Sequence, residues 1–130
     1  MKRYLLDTHV VVWALTRPQR LGAHTRGILA HEPVFVSALS IWEMLLKHGQ
    51  GRLKLPGGSL LRTIERAGAQ LLPLAPEHVE AGTALGATHG DPIDRLLIGT
   101  ARYERMVLVT RDAQILERAA PILGDLLLEA

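Results

Sequence analysis

The fold class of this chain is decided by residues 91–112, DPIDRLLIGTARYERMVLVTRD. Apolar residues stand three, four and seven positions after Asp94, and this spacing predicts an amphipathic helix over residues 93–105, opened by Asp91-Pro92. Residues 106–109 form a short apolar run of β-forming side chains, which predicts a buried strand. A helix that leads directly into a buried strand is typical of an α/β domain with a parallel sheet.

The same alternation of strands and helices continues along the rest of the chain. Strands are predicted at residues 3–6, 33–36, 70–74 and 122–128, and helices at residues 9–15, 22–30, 40–48, 59–67 and 76–85, with a short last helix ending at 118. In the helix over 40–48 we expect Ile41, Trp42, Leu45 and Leu46 to face the core. We find no repeat or linker, and we therefore expect one domain over residues 1–130, of the α/β class with a mainly parallel sheet.

Composition limits the possible surroundings of the protein. Hydrophobic residues make up 48% and charged residues 22% of the chain, which is typical of a globular domain. No apolar run approaches the ~20 residues that a membrane span needs, and no signal-like segment follows the charged N-terminus. The absence of cysteine excludes disulfides, thiolate metal sites and cysteine nucleophiles. We expect a cytoplasmic protein without membrane contact.

The charge balance is compatible with a nucleic-acid partner. Fifteen Lys and Arg residues face thirteen Asp and Glu residues, which gives a net charge of +2. All but three of the cations are arginines, and arginine suits bidentate phosphate contacts. If several acids gather at one site, the remaining surface is more basic than the net charge indicates.

Two aspartates stand where predicted strands end. Asp7 follows the strand over 3–6, and Asp112 follows the strand over 106–109. Because ligands bind at the carboxyl ends of parallel strands, both carboxylates should lie at the same edge of the sheet.

Two further acids lie on predicted helices among apolar residues. Asp94 shares a helix face with Leu97 and Ile98, and Glu43 lies one turn before Leu46. Two carboxylates ~4 Å apart repel by about 4 kcal/mol at an effective dielectric constant near 20, so four can stay ionised together only beside a cation. Oxygen ligands without Cys or clustered His favour Mg²⁺ or Mn²⁺. In the metal-free protein at least one of these acids should have a raised pKa.

Helix capping is the alternative explanation for each acid taken singly. Asp7 and Asp112 could be N-caps, and Ser40 to Glu43 fits a capping box. Asp91 to Asp94 fits the positions N-cap to N3 equally well. Only the presence of four acids at positions that a sheet would bring together favours a metal site, and Asp91, outside the helix, is interpreted as a cap.

Four blocks of the sequence resemble a known family. They are LLDTHV at 5–10, SALSIWE at 37–43, DPIDRLLI at 91–98 and VTRDA at 109–113. In this order they resemble the four motifs of PIN-domain proteins, and most of all the VapC-type toxins of toxin–antitoxin operons. Each block alone is a weak signal, whereas four in order within a chain this short are specific.

The resemblance implies a three-layer α/β/α fold and Mg²⁺- or Mn²⁺-dependent endoribonuclease activity. It places metal-site carboxylates at Asp7, Glu43, Asp94 and Asp112, with Thr110 as a hydrogen-bonding partner of the site. Asp91 departs from the simplest four-acid pattern; it could be a secondary metal or substrate contact and is left out of the core site. It also implies an RNA substrate, a homodimer and a small antitoxin whose tail enters the active-site groove.

Three other functions remain open at this stage. A receiver-like signalling domain also carries acids at strand ends, but all three lysines here stand early in the chain, where a receiver needs one after a late strand. A PIN domain that binds RNA without cleaving it and a phosphatase with the same metal site are the other two. Arg95 and Arg111, each beside an acid, could contact phosphate, while Trp13 and Trp42 are expected in the core.

Overall fold

Five parallel strands form the centre of the protein, in a computed structural model that describes residues 2–85 and 91–130. The strands lie in the order β3-β2-β1-β4-β5, and every neighbouring pair is parallel. They are β1 Tyr4–Leu6, β2 Val34–Ser37, β3 Gln70–Leu72, β4 Val107–Thr110 and β5 Leu127–Glu129. The prediction of an α/β fold with a parallel sheet is confirmed. Since a receiver-type sheet has the order 2-1-3-4-5, the strand order differs from that of the receiver-like alternative.

Seven α-helices connect these strands in the described part of the chain. They are α1 Thr8–Thr16, α2 Ala23–His31, α3 Ala38–Gly49, α4 Leu60–Arg66, α5 Pro76–Thr83, α6 Pro92–Glu104 and α7 Ala113–Leu123, with a 3₁₀ helix at Pro18–Arg20 after α1. The prediction was wrong at the C-terminus, where α7 extends past 118 and β5 is shorter than expected. Ile115, Ala119 and Leu123 form a buried stripe at every fourth residue, and this packing continues the helix through Pro121.

The helices cover both faces of the sheet, because successive strand residues point to opposite sides. On one side Tyr4 and Leu6 pack in a cluster with residues of α1, α2 and α4, among them Val10, Ile28 and Ile64. On the other side Leu5 and Leu108 pack with residues of α6 and α7, among them Leu97, Ile98 and Ile115. The three-layer α/β/α arrangement is therefore confirmed.

Helix α3 presents a different face to the core from the one expected. Its buried apolar residues are Leu39 and Met44, whereas Trp42, Leu45 and Leu46 are 57%, 50% and 44% exposed. The sequence of α3 is apolar almost all round, so its periodicity does not determine which side faces inward. The prediction of Trp42 as a core residue was wrong.

Helices α5 and α6 cross at very short distance through two glycines. A Cβ atom added to Gly99 would lie 2.5 Å from the Cα of Gly82, closer than any real Cβ contact. Only glycine on both helices permits this approach. The crossing fixes α6, whose first turn carries Asp94, against its neighbour. None of the described helices is long and apolar enough to cross a membrane.

Candidate active site

Asp7 is the most deeply placed acid of the candidate site. It follows β1, caps α1 and is only 2% exposed. Its Oδ1 accepts a hydrogen bond from the Thr8 amide at 2.8 Å, and its Oδ2 accepts one from Thr110 Oγ1 at 2.9 Å. Burial raises the pKa of Asp7, while these two hydrogen bonds and the nearby His9 oppose the rise. The carboxylate is thus held rigidly on both oxygens.

Thr110 connects Asp7 to a second acid at the end of β4. Its hydroxyl donates to Asp7 and accepts a hydrogen bond from the Asp112 amide at 3.1 Å. Asp112 caps α7, since its Oδ1 accepts hydrogen bonds from the amides of Gln114 at 2.8 Å and Ile115 at 3.2 Å. Both strand-end acids therefore do cap helices, as the alternative explanation holds. They also lie at one sheet edge, because β1 and β4 are adjacent and parallel.

Asp94 is the acid whose surroundings show the crowding most clearly. It stands at N3 of α6, partly buried, and its pKa is raised to about 7. Burial is the largest cause, followed by the negative charges of Asp91, Asp7, Asp112 and Glu43. All of these acids therefore lie close enough to Asp94 to disfavour its ionised form.

Glu43 reaches the site from the second turn of α3. The N-cap of this helix is Ser37, whose hydroxyl accepts from the Leu39 amide at 3.0 Å, so the interpretation of Ser40 and Glu43 as a capping box is wrong. The Glu43 side chain is 14% exposed and pairs with Lys47 at 3.1 Å. Its charge raises the pKa values of both Asp7 and Asp94.

The sequence analysis missed one feature of the site and left another outside the core set. Thr8 Oγ1 donates to Ser40 Oγ at 3.0 Å, and both hydroxyls are buried, so the start of α1 is tied to α3 one turn before Glu43. Asp91 was left out of the core site, as a helix cap or a secondary metal or substrate contact. It does cap α6 through the Ile93 and Asp94 amides, yet its charge is the strongest of the four that raise the pKa of Asp94. The sequence signal for the first feature was the Asp-Thr dipeptide at residues 7–8, and the signal for the second was the Asp-Pro dipeptide at residues 91–92.

The donor set fits a hard divalent cation by its chemistry. Every candidate ligand is a carboxylate, and two of them have raised pKa values that a nearby cation would lower. As the side chains stand, no three histidine or acidic residues within 2–85 and 91–130 are arranged to hold one ion together. Glu43 pairs with Lys47, and the capping oxygens of Asp91 and Asp112 face backbone amides.

The sequence matches a known protein family over most of its length. The model of the PIN domain family matches residues 4–121, which is most of the chain. The chain belongs to the PIN-domain family. The family resemblance noted in the sequence is thereby confirmed, and the four acids of this PIN domain all fall within the matched residues.

Individual relatives extend the comparison. This PIN domain is 30% identical over 125 residues to Ribonuclease VapC22 of Mycobacterium tuberculosis (strain ATCC 25618 / H37Rv), covering 93% of this chain and 95% of that protein. The crystal structure of FitAcB from Neisseria gonorrhoeae is similar with a TM-score of 0.59 and 25% identity, covering 89% of this chain and 92% of that one. The crystal structure of VapBC2 from Rickettsia felis, bound to a DNA fragment from their promoter, is similar with a TM-score of 0.63 and 13% identity. The likeness covers 98% of this chain and 96% of that one. At such identity the last likeness shows the fold alone.

Proposed function

We propose that this PIN domain is a Mg²⁺- or Mn²⁺-dependent endoribonuclease that acts as the toxin of a toxin–antitoxin pair. The observation that carries the proposal is Asp94 at the carboxyl edge of the sheet, a partly buried acid whose pKa is raised first by burial and then by the charges of four other carboxylates. Such crowding is unfavourable unless a cation relieves it. The 30% identity to Ribonuclease VapC22 supports RNA as the substrate.

The surroundings of each residue indicate its role in the site. Asp7, Asp94 and Glu43 would hold the first cation, and Asp112 would complete the site. A bound Mg²⁺ or Mn²⁺ supplies positive charge for the phosphate and lowers the pKa of water. Thr110 and the Thr8 amide keep both Asp7 oxygens in place, so this ligand is preorganised. Asp94, with its pKa of about 7, is partly protonated at neutral pH, so cation binding at this carboxylate would release a proton.

Cleavage of a single-stranded RNA by purified protein tests the proposal. We expect cleavage with Mg²⁺ or Mn²⁺, none with chelator, and none in Asp7→Asn or Asp94→Asn, both of which should remain folded. Asp125→Asn removes an exposed carboxylate before β5, at the opposite edge of the sheet, and should cleave like the wild type. Full activity in Asp7→Asn, or cleavage that chelator does not affect, would refute the assignment. A folded wild type that binds RNA without cleaving it would favour the non-catalytic alternative.

Thermal melts test the cation site separately from catalysis. Binding to the folded state alone should raise the melting temperature as the Mg²⁺ or Mn²⁺ concentration passes its Kd. The increase should be absent in the double variant Asp7→Asn with Asp94→Asn. An equal increase in that double variant would place the ion elsewhere.

An antitoxin partner is supported by exposed apolar side chains on one face of α3. Trp42, Leu45 and Leu46 stand three and four residues apart on this helix and are each at least 44% exposed, and an apolar face of this kind is typical of a protein contact. A solved toxin–antitoxin complex from Klebsiella pneumoniae, to which this chain is similar with a TM-score of 0.60 and 18% identity, also supports such a partner. We also propose a homodimer and a cytoplasmic location. Co-purification with the product of an adjacent short reading frame and light scattering of the free chain test the two assemblies.

A further inference from the structure

Outside the acids, two arginines lie against one tryptophan. The guanidinium carbons of Arg20 and Arg111 are 5.6 and 5.0 Å from the ring centroid of Trp13, within cation–π range. Arg111 Nη1 also donates a hydrogen bond to the Arg20 carbonyl oxygen at 2.8 Å. These contacts hold together α1, the 3₁₀ helix and the turn after β4. Because the indole is partly buried while both arginines are exposed, it fixes two charges at the surface.

A basic groove continues from the same tryptophan. It is lined by Val12, Trp13, Thr16, Arg17, Arg52, Leu53 and Lys54, three of which are cations and none of which is acidic. Together with Arg20 and Arg111 this makes five exposed cations. None of the five forms a salt bridge with a carboxylate in the described part of the chain. We call Trp13, these five cations and the groove between them the basic track.

The basic track begins next to the candidate active site. Arg111 stands between Thr110, which donates to Asp7, and Asp112. The acid cluster repels a polyanion, and a cation bound there offsets that repulsion only at the phosphate that it contacts. Neighbouring phosphates need cations of their own, and the basic track supplies them beside the acids.

We propose that the basic track binds the phosphates that adjoin the scissile one in a single-stranded RNA. This inference rests on the proposed function, since it assumes that the substrate of the acid cluster is RNA. Arg17, Arg52 and Lys54 contact phosphates along the groove, and Arg20 and Arg111 contact those nearest the acids. Trp13 is a positioning residue: its ring already carries two guanidinium groups, so it orients cations and does not stack on bases.

RNA binding measured in the non-cleaving Asp7→Asn background tests the track. Fluorescence anisotropy with a labelled single-stranded oligoribonucleotide, over a series of salt concentrations, gives the slope of log K against log salt. Each lost phosphate contact should reduce this slope by about 0.7, so the triple variant Arg17→Gln, Arg52→Gln and Lys54→Gln should lose about 2.

The matched control removes the same charge at the other edge of the sheet. Lys2, Arg66 and Arg102 are exposed and stand just before β1, β3 and β4, so their replacement by Gln tests net charge alone. We expect this control triple to keep nearly the whole slope. Equal losses in the two triples would mean that only net charge matters, and this would overturn the track.

Trp13 is tested by substitutions that change no charge. Trp13→Leu should weaken RNA binding roughly two- to fivefold because both arginines lose their cation–π contact, and Trp13→Phe should restore most of it. A merely structural role would alter the melting temperature of Trp13→Leu without this change in RNA affinity.

The outcomes separate this proposal from the proposed function. If the wild type shows no cation-dependent cleavage of RNA, the proposed function itself fails. If the wild type cleaves RNA but the track triple binds RNA with the affinity and salt slope of its Asp7→Asn parent, the track is wrong while the ribonuclease assignment stands. In that case the groove would be free for an acidic segment of a protein partner.

Discussion

Replacement of Asp94 by Asn should stabilise the metal-free protein at neutral and alkaline pH. The pKa of Asp94 is raised from 3.8 to about 7, so ionisation of this group opposes folding. At about 1.4 kcal/mol per pKa unit, a shift of this size in a fully buried group would lower the free energy of unfolding by about 4 kcal/mol. Asp94 is only partly buried, so solvent screening reduces this to about 1–2 kcal/mol. The favourable position of its charge in the first turn of α6 opposes the gain by about 0.3–1 kcal/mol.

The net expectation is a gain of roughly 1 kcal/mol for Asp94→Asn, with a defined pH dependence. Below pH 3.8 the wild-type side chain is protonated in both the folded and the unfolded state, so the penalty is absent. Between pH 4 and 7 only the unfolded state has released the proton, so wild-type stability falls as pH rises. Above pH 7 the folded state is ionised as well, and the difference between variant and wild type stays constant.

Urea denaturation with chelator at pH 3.5, 5.5 and 8 measures this difference. Asp125→Asn, which removes an exposed carboxylate away from the cluster, is the control and should show no such trend. An Asp94→Asn variant that is no more stable than wild type at pH 8 would contradict the argument. So would a gain of equal size at all three values of pH, because the effect would then not come from ionisation.

Two further predictions concern contacts that position the site. Thr110→Val should lower the free energy of unfolding by about 1–3 kcal/mol, because buried Asp7 loses a hydrogen-bond donor, whereas Thr110→Ser should retain most of the stability. Equal stability of the two variants in urea denaturation would contradict this. Gly99→Ala should destabilise by about 1–3 kcal/mol or more, because the new methyl group meets the Gly82 backbone. Gly27→Ala in α2, with open space around it, should instead raise the free energy of unfolding by up to about 1 kcal/mol. A thermal melt in which both alanine variants behave alike would count against the close crossing of α5 and α6.

The positions of the strands and of the acids were readable from the sequence because both depend on local pattern. Short apolar runs identify buried strands, and an acid directly after such a run must lie at the carboxyl edge of a parallel sheet. Asp7 and Asp112 could be assigned to one edge on this ground, and β1 and β4 are indeed neighbours. Asp91-Pro92 also marked the start of α6 correctly, because proline at N1 after an aspartate N-cap is a local signal.

Local pattern failed where a residue's surroundings depend on distant elements. Helix α3 has apolar residues on nearly every side, so only its docking decided that Met44 is buried and Trp42 exposed. The predicted end of α7 at 118 was wrong, since the buried stripe of Ala119 and Leu123 continues the helix through Pro121, although proline is locally unfavourable inside a helix. In both helices, packing energy outweighs the local preference.

The sequence by itself determined the fold class, the edge of the sheet that carries the acids and the carboxylate chemistry of the site. Only the tertiary structure decided how these groups act on one another. The hydrogen bond from Thr110 to Asp7 joins residues 103 positions apart, and the pKa of Asp94 depends on its burial and on charges from three other segments. The contact of Arg111 with Trp13 likewise joins the turn after β4 to α1. Electrostatic and hydrogen-bond energies depend on distance and burial, and both are set by the packing of elements that are far apart in the chain.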